Sequence, residues 1–129
     1  FPKSEIIITD STTAEMIKYT TNTFLATKVS FANEIKQVCD SLNINYATLI
    51  KYTIYDKRIA DSHLLVPGPD GEKGFGGSCF PKDINALIYF AKQKGIDLDV
   101  LKSVWETNLK VRPEKDWEEL KGRAVIKKD

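Results

Sequence analysis

The sequence has two cysteines and one histidine, too few for the usual Cys/His metal clusters or for the disulfide framework of a small secreted domain. Basic residues number 19 and acidic residues 18, so the formal charge of +1 gives no strong attraction to nucleic acid or anionic lipid. No apolar run approaches the roughly 20 residues of a membrane-spanning helix, and no signal-peptide pattern opens the chain. We therefore expect a cytoplasmic protein without metal, nucleic acid or membrane partners.

The apolar residues that are present follow a helical period near the start of the chain. They recur every three or four positions and predict one long helix, roughly residues 13–41, with Thr12 and Glu15 at capping-box spacing. The predicted inward positions are Met16, Ile17, Phe24, Leu25, Val29, Ala32, Ile35, Val38, Cys39 and Leu42. Such a helix is about 40 Å long, more than one small domain covers, so we expect it to pack against a second copy.

Shorter helices are predicted further along the chain. They run from Tyr46 to about Tyr55, from Pro81 to Gly95, and from Asp97 or Asp99 to just before Arg112, with a last turn in PEKDWEELKG. In the third helix, the predicted inward residues are Ile84, Leu87, Ile88, Phe90 and Ala91. Residues 60–78 hold five of the seven glycines and are predicted to be loop.

Residues 5–9 (EIIIT) and the segment RAVI near the end have the composition of short extended pieces. At 129 residues the chain is long enough for one domain to bury a core without disulfides or a structural metal. The predicted fold class is therefore all-α: a helical bundle built on one long N-terminal helix, with short extended ends.

The segment GFGGSCFPKD, residues 74–83, places a cysteine where a helix begins. Pro81 suits a first helical turn, because its missing N–H is not needed there, so Ser78 or Cys79 lies at or next to the N-cap. The positive end of the helix dipole stabilises a thiolate. Cys79 is therefore a candidate nucleophile.

Neighbouring residues could complete a site around this thiol. Cys79 and Asp83 are four positions apart, close enough to share one small molecule. Gly76 and Gly77 lack a Cβ, which lets backbone N–H groups approach a ligand. The alternative is a plain turn with a buried cysteine, but cysteine, proline and aspartate in this order favour the functional interpretation.

Lys18 and Asn22 are the second candidate cluster. They stand at i and i+4 on the long helix, so they project from one face near the apolar stripe. Alone they would be ordinary solvated side chains, whereas a lysine that reaches Cys79 would serve as an oxyanion donor. Cys39 falls on the apolar stripe and is expected in the core, and His63 is expected to be a loop or packing residue.

Three segments, AEMIKYTTNTFLATKVSFANEI, DKRIADSHLL and GFGGSCFPKD, occur in an order that resembles the central helical domain of the UDP-glucose/GDP-mannose dehydrogenase family. The resemblance covers about residues 12–109. It implies a bundle like the C-terminal domain of 6-phosphogluconate dehydrogenase and a homodimer formed through the long helix. It also implies that residues 1–11 lead in from an N-terminal Rossmann domain, that 12–121 form the central domain, and that 122–129 begin a further domain.

The resemblance further implies a two-step oxidation of a sugar C6 alcohol to a carboxylate with two NAD molecules. Cys79 would attack the C6 aldehyde, giving a thiohemiacetal that is oxidised to a thioester. Lys18 and Asn22 would hold the C6 oxygen and stabilise its developing charge. Asp83 would position or deprotonate the water that hydrolyses the thioester.

Four more residues match substrate-binding positions of the family. Arg58 matches an arginine that contacts the nucleotide sugar, and a contact from the partner subunit is one of the arrangements that the resemblance allows. Phe75, Gly76 and Gly77 match the part of the loop that lies along the ligand. The nucleotide sugar is UDP-glucose by first preference and GDP-mannose by second.

NAD is expected to bind mainly to a domain absent from this chain, because GFGG follows a loop and lacks the GxGxxG spacing of a dinucleotide site. The isolated chain is therefore expected to be inactive. One alternative is a non-catalytic dimerisation or scaffold module. Another is a β-hydroxyacid or 6-phosphogluconate type dehydrogenase, against which Cys79 argues, because those enzymes oxidise once and need no thiol.

Overall fold

The computed structural model describes residues 10–113 and 115–120, and all regular elements in these ranges are helical. They are α1 (Ser11–Leu42), α2 (Tyr46–Thr53), α3 (Cys79–Gln93), α4 (Asp99–Val111) and a 3₁₀ helix (Asp116–Leu120). The all-α prediction is thus confirmed, with helix ends within a few residues of those expected. The predicted extended ends, residues 5–9 and RAVI, lie outside the described residues.

None of the helices in the described ranges combines the length and apolar character that crossing a bilayer requires.

The start of α1 differs from the predicted capping box. The N-cap is Asp10, whose carboxylate accepts a hydrogen bond from the Thr13 backbone N–H at 2.7 Å. Thr12 lies inside the first turn, so the prediction that it caps the helix was wrong. At the other end, Asn43 adopts φ 58°, and the N–H of Ile44 donates to the carbonyl of Cys39 at 2.9 Å. The left-handed residue closes the helix and turns the chain toward α2.

The first core cluster forms where α1 meets α3, α4 and the loop before α3. Ala26, Phe75, Ile84 and Val104 are its buried members. Small side chains on α1 allow close packing against α4, and the Ser30 hydroxyl donates to the carbonyl of Val104 at 2.9 Å. This cluster holds the start of α3 against the middle of α1.

The second core cluster lies toward the end of α1 and comprises Ala32, Cys39, Tyr46 and Leu64. Cys39 is 2 % exposed, which confirms that it is a core residue. The hydroxyl of Tyr46 donates to the carbonyl of Leu64 at 2.7 Å and thereby ties the loop to α2. Burial, with a smaller contribution from Cys39, raises the pKa of Tyr46 to about 12, so the hydroxyl keeps its donor proton at neutral pH.

Several apolar residues predicted to face inward are exposed instead: Met16, Phe24, Val38 and Leu42 on α1 are 39 %, 64 %, 54 % and 62 % exposed, and Phe90 on α3 is 53 % exposed. Phe31, which was not among the predicted inward positions, is 60 % exposed. Phe24, Phe31 and Val38 are seven residues apart and therefore form one ridge along α1, which we call the α1 ridge. The periodicity identified a helix but could not show that the two buried clusters occupy other faces of it.

Asn108 on α4, which is fully buried, fixes the loop at Phe75. Its side-chain oxygen accepts from the Phe75 N–H at 2.7 Å, and its amide nitrogen donates to the Phe75 carbonyl at 2.9 Å. Gly74 has φ 70°, and a Cβ there would overlap the side-chain oxygen of Asn108. The loop backbone therefore lies directly on α4, and the Phe75 ring is set into the core.

A buried arginine at the end of α4 holds the same loop. The Arg112 side chain is 5 % exposed; its Nε donates to Asp116 Oδ1 at 2.7 Å and its Nη2 donates to Asp70 Oδ2 at 2.8 Å. Nη2 also donates to Asp116 Oδ2 at 3.1 Å, and Nη1 donates to the carbonyl of Lys73 at 3.3 Å. We call Arg112, Asp70 and Asp116 the Arg112 network. Hydrogen bonds from Arg112 hold the pKa of both carboxylates below the ordinary value of 3.8.

We expect Asn108→Ala to lower the free energy of unfolding by about 2 to 4 kcal/mol, because both bonds are lost and two buried backbone groups are left without partners. Urea unfolding measures the change. Asn85→Ala is the control, because the Asn85 amide bonds only the Pro81 carbonyl within α3 and its loss should lower the stability by less than about 1.5 kcal/mol. Equal losses in the two variants would contradict this role of Asn108.

The Arg112 network should make stability fall in acid. Because the folded-state pKa values of Asp70 and Asp116 lie below 3.8, their stabilisation is complete above that value and is lost as pH falls through the folded-state values. Between about pH 5 and about pH 2.5, urea unfolding should show a smaller loss for Asp116→Asn than for the wild type. Asp97→Asn, which alters an exposed pair with Lys102, should keep the wild-type slope. Identical slopes in all three proteins would refute the assignment.

Candidate active site

Asp83 is the buried centre of the candidate site. Its side chain is 1 % exposed and lies in the second turn of α3. Asn22 of α1 donates from Nδ2 to Asp83 Oδ2 at 2.6 Å, and Lys18 Nζ lies 4.0 Å from Asp83 Oδ1. The lysine and asparagine on the long helix therefore meet the aspartate of the cysteine segment, 61 residues from Asn22 in the chain.

One oxygen of this carboxylate has no donor. Asp83 Oδ1 is buried and accepts no hydrogen bond from any described residue. A buried carboxylate oxygen without a donor is destabilising, so the position is suited to a water or a ligand hydroxyl. Asn22 still has its second amide N–H, and Lys18 is 56 % exposed with an ammonium group that can donate up to three hydrogen bonds. Free donors and one free acceptor thus lie within a few ångströms of each other.

Cys79 is the first residue of α3, and its side chain is exposed. Ser78 is the N-cap residue but makes no capping hydrogen bond with its side chain, and its hydroxyl oxygen lies 3.9 Å from the Cys79 sulfur. The thiol is therefore accessible at a helix N-terminus, where unpaired backbone N–H groups favour negative charge. Asp83 follows one turn later on the same helix, as the spacing predicted.

A pocket of about 540 Å³ lies beside the cysteine loop. Its walls include Asp61, Ser62, His63, Leu65, Phe75 and Phe80. His63 is an exposed loop residue, and its ring lies 5.5 Å from the Phe80 ring, centroid to centroid, at a tilt. Phe80 directly follows Cys79 in the chain, but the lining does not include Cys79, Lys18, Asn22 or Asp83.

Of the four predicted substrate-binding residues, Phe75 and Gly76 line this pocket. Gly77 is not among the lining residues, and its N–H donates to Asp116 Oδ2 at 3.3 Å. Arg58 is 88 % exposed in the turn after α2, where its guanidinium pairs with Asp56. Within one chain, Arg58 does not line the pocket, and its role stays a prediction.

The two glycines before Cys79 are explained by the fold and not by ligand access alone. A Cβ on Gly76 would overlap the carboxylate of Asp116 and approach Arg112 Nη2 to 2.5 Å. Gly77 has φ 72°, a backbone conformation that other residues rarely adopt. The loop therefore needs Gly76 for close packing against the Arg112 network and Gly77 for its turn.

Sequence reasoning missed the residues that hold the loop: Asn108 and the Arg112 network. Arg112 and Asp116 are four positions apart, a spacing that predicts a side-chain contact only within a helix. Pro113 lies between them and interrupts the helical pattern, so the contact was not predicted. Asp70 is 42 residues from Arg112, and no short-range pattern connects them. Such contacts become visible only when the helices are packed.

Comparison with known proteins agrees with this arrangement. The sequence profile of the UDP-glucose/GDP-mannose dehydrogenase family, central domain, matches residues 12–110. A UDP-glucose 6-dehydrogenase of Rickettsia bellii is 46 % identical over 110 residues, which are 85 % of this chain and 24 % of that protein. The UDP-glucose 6-dehydrogenase YwqF of Bacillus subtilis is 46 % identical over 100 residues, 78 % of this chain and 22 % of YwqF.

A solved structure, that of a UDP-glucose dehydrogenase from the hyperthermophilic archaeon Pyrobaculum islandicum, matches with a TM-score of 0.64 and 36 % sequence identity. The match covers 72 % of this chain and 20 % of that one. The chain thus spans about a quarter of the length of the curated relatives it matches. Since the profile match covers most of the chain and includes Lys18, Asn22, Cys79 and Asp83, the chain belongs to the UDP-glucose/GDP-mannose dehydrogenase family and contains its central domain.

Proposed function

We propose that the chain supplies the thiol-bearing part of the active site of an NAD-dependent UDP-glucose 6-dehydrogenase. The observation that carries the proposal is the buried Asp83 carboxylate, which is bonded to Asn22, lies 4.0 Å from Lys18 and keeps one oxygen free. The named relatives favour UDP-glucose over GDP-mannose as the substrate. The product would be the corresponding uronic acid nucleotide.

Lys18 and Asn22 would act on the C6 oxygen of the sugar. During the first oxidation the C6 hydroxyl loses its proton and the carbon loses a hydride, so negative charge develops on the oxygen. The ammonium of Lys18 and the second amide N–H of Asn22 are donors suited to that charge. Because Asn22 is already bonded to Asp83, its free N–H has a fixed direction and needs no reorganisation during the reaction.

Cys79 would form the covalent intermediate. Its thiolate attacks C6 of the aldehyde, the carbonyl oxygen takes a proton, and a thiohemiacetal results. Loss of a second hydride from C6, together with the hydroxyl proton, leaves a thioester on the Cys79 sulfur. The exposed position at the start of α3 suits this role, because both the sulfur and the first-turn N–H groups can face a substrate.

Asp83 would act in hydrolysis of the thioester. Its free oxygen, Oδ1, is the acceptor that an attacking water needs, and Asn22 fixes the other oxygen. Water adds to C6 and passes one proton to the Asp83 carboxylate, the Cys79 thiolate then leaves, and the new sugar carboxyl group releases its remaining proton to solvent. In this proposal Cys79 is the nucleophile and Asp83 is the base, and both lie in the first two turns of α3.

Two NAD molecules, bound one after the other, would each accept one hydride. The described residues contain no strand followed by a glycine-rich turn and a helix, which is the unit that binds a dinucleotide. We therefore assign no NAD contact to this chain and expect the isolated chain to be inactive. The division into residues 1–11, 12–121 and 122–129 is part of the same proposal.

The substrate would occupy the pocket beside the loop. Phe75 and Gly76 line it and would contact the nucleotide sugar, with Gly77 holding the turn. Arg58 lies in an exposed turn and would reach a neighbouring chain's substrate in a homodimer. The α1 ridge supports such a dimer, because three large apolar side chains seven residues apart form the kind of face that two helices pair along.

The stoichiometry of NADH tests the chemistry. In an enzyme in which residues 10–120 replace the corresponding segment of Bacillus subtilis YwqF, we expect about two NADH per UDP-glucose, because each of two oxidations delivers one hydride. Cys79→Ser should abolish this yield and Cys39→Ala, a change in the core, should retain it. GDP-mannose in place of UDP-glucose should give little or no NADH.

A folded, NAD-binding hybrid that oxidises no nucleotide sugar would contradict the proposal and favour the non-catalytic dimerisation module. A yield of about one, unaffected by Cys79→Ser, would favour an enzyme that oxidises once without a thiol.

The α1 ridge makes a prediction of its own. Sedimentation of the 129-residue chain should show a dimer, and Phe31→Glu should shift it to monomer, because pairing would bury two carboxylates without partners. Ile96→Glu is the control, since Ile96 is similarly exposed, at 54 %, but lies after α3. A wild-type chain that is monomeric at all concentrations, or a dimer insensitive to Phe31→Glu, would contradict pairing through the ridge.

A further inference from the structure

We propose that Arg112 and Asp116 are positioning residues for Cys79: the arginine fixes the aspartate, and the aspartate fixes the loop that carries the thiol into α3. The inference rests on the proposed function, in which the Cys79 sulfur must meet the C6 carbon. Neither residue touches the candidate reacting groups. Their effect would pass through the backbone of Gly76 and Gly77.

The first argument is the burial of Arg112. A guanidinium that is 5 % exposed must be paired, and Arg112 makes hydrogen bonds to Asp70, Asp116 and the Lys73 carbonyl. These partners lie on both sides of the arginine, upstream in the loop and downstream in the 3₁₀ helix. Because the guanidinium group of Arg112 is planar and rigid, its hydrogen bonds define the position of the Asp116 carboxylate.

The second argument is the contact between Asp116 and the cysteine loop. Asp116 Oδ2 accepts from the Gly77 N–H at 3.3 Å, two residues before Cys79. A Cβ on Gly76 would overlap the same carboxylate, so the backbone at residue 76 lies directly against it. The loop is therefore held at two successive residues immediately before α3 begins.

The third argument is the packing of the 3₁₀ helix that carries Asp116. The next residue, Trp117, is 2 % exposed, and its ring lies 5.0 Å from that of Trp105 on α4, centroid to centroid. The 3₁₀ helix is thus packed onto α4 and is not a free end. A carboxylate on a packed helix can restrict the position of the loop backbone to within a few tenths of an ångström. Oriented reactions require about this positional tolerance.

Positioning and plain stabilisation predict different results. A network that only stabilises would, when broken, lower the unfolding free energy and leave the folded loop and its thiol unchanged. A positioning network would alter the folded loop at Gly77 and the behaviour of the Cys79 thiol. A change at Asp70 distinguishes the positioning role from the stabilising role. Asp70 accepts a hydrogen bond from Arg112, whereas the Gly77 N–H donates to Asp116.

The test uses the 129-residue chain, with Asp116→Asn, Arg112→Lys and Asp70→Asn compared under native conditions. Hydrogen–deuterium exchange reports the Gly77 amide, and iodoacetamide alkylation across pH reports the thiol. We expect Asp116→Asn to speed Gly77 exchange by about tenfold and to change the plateau of the Cys79 rate profile at least about threefold. Exchange around Tyr46 should stay unchanged. Arg112→Lys should behave like Asp116→Asn, because lysine cannot form the fork, and Asp70→Asn should have a smaller effect.

In the YwqF hybrid, Asp116→Asn should lower kcat about tenfold while KM for UDP-glucose stays within about twofold, as loss of orientation predicts. Gly77 exchange and a Cys79 rate profile that match the wild type in both Asp116→Asn and Arg112→Lys would overturn the proposal. If one variant does not fold, the other decides. Failure of the proposed function has a different signature: Cys79→Ser would keep the full NADH yield, whatever happens to exchange at Gly77.

Discussion

The hydrogen bond between Asn22 and Asp83 is the contact on which the rest of the site depends. A carboxylate at 1 % exposure needs a donor, and the donor that reaches Oδ2 comes from α1. The bond joins α3 to α1 at this point, and Ala26 and Ile84 of the same two helices belong to the first core cluster. Lys18, one turn before Asn22, is thereby placed near the same carboxylate.

In this arrangement one buried carboxylate oxygen of Asp83, at the interface of α1 and α3, has no hydrogen-bond donor among the described residues. Proteins normally satisfy buried polar atoms, so a free carboxylate oxygen beside a bonded amide and an exposed ammonium is suited to an occupant. In our proposal the occupant is the substrate oxygen or a water. The same helix presents Cys79 at its exposed start, so the proposed nucleophile and the proposed base lie on one helix.

The cysteine loop shows how side chains distant in the sequence determine glycine positions. Asn108 excludes a Cβ at Gly74, and the Arg112 network excludes one at Gly76. The side chains nearest to these two glycines, Asn108, Arg112 and Asp116, lie on α4, at its C-cap and in the 3₁₀ helix, and none of them belongs to the candidate catalytic group. Their shared effect is to lay the loop backbone on α4.

Local patterns predicted the helices and the two candidate clusters, because periodicity, helix-stop signals and i,i+4 spacing depend on neighbours in the chain. Cys79, Asp83, Lys18 and Asn22 were identified as candidates in this way, and their catalytic roles remain predictions. The patterns failed where packing decides: Phe24, Val38 and Phe90 have helical spacing but face outward. Asp10 was missed as the N-cap because Thr12 offered the more familiar motif.

The Arg112 network could not be predicted either, since the glycine loop alone does not reveal which side chains lie against it. Gly76 was explained by ligand access when its closest neighbours are Asp116 and Arg112.

The central claim, that Cys79 carries the intermediate and Asp83 releases it, is tested most directly by trapping the thioester. The Asp83→Asn form of the YwqF hybrid is incubated with UDP-glucose and NAD, quenched in acid, and mapped by mass spectrometry of its peptides. The account predicts a UDP-glucuronyl adduct on the peptide that contains Cys79, absent when Cys79→Ser is added. Wild-type turnover without an adduct, or an adduct that persists in Cys79→Ser, would contradict it.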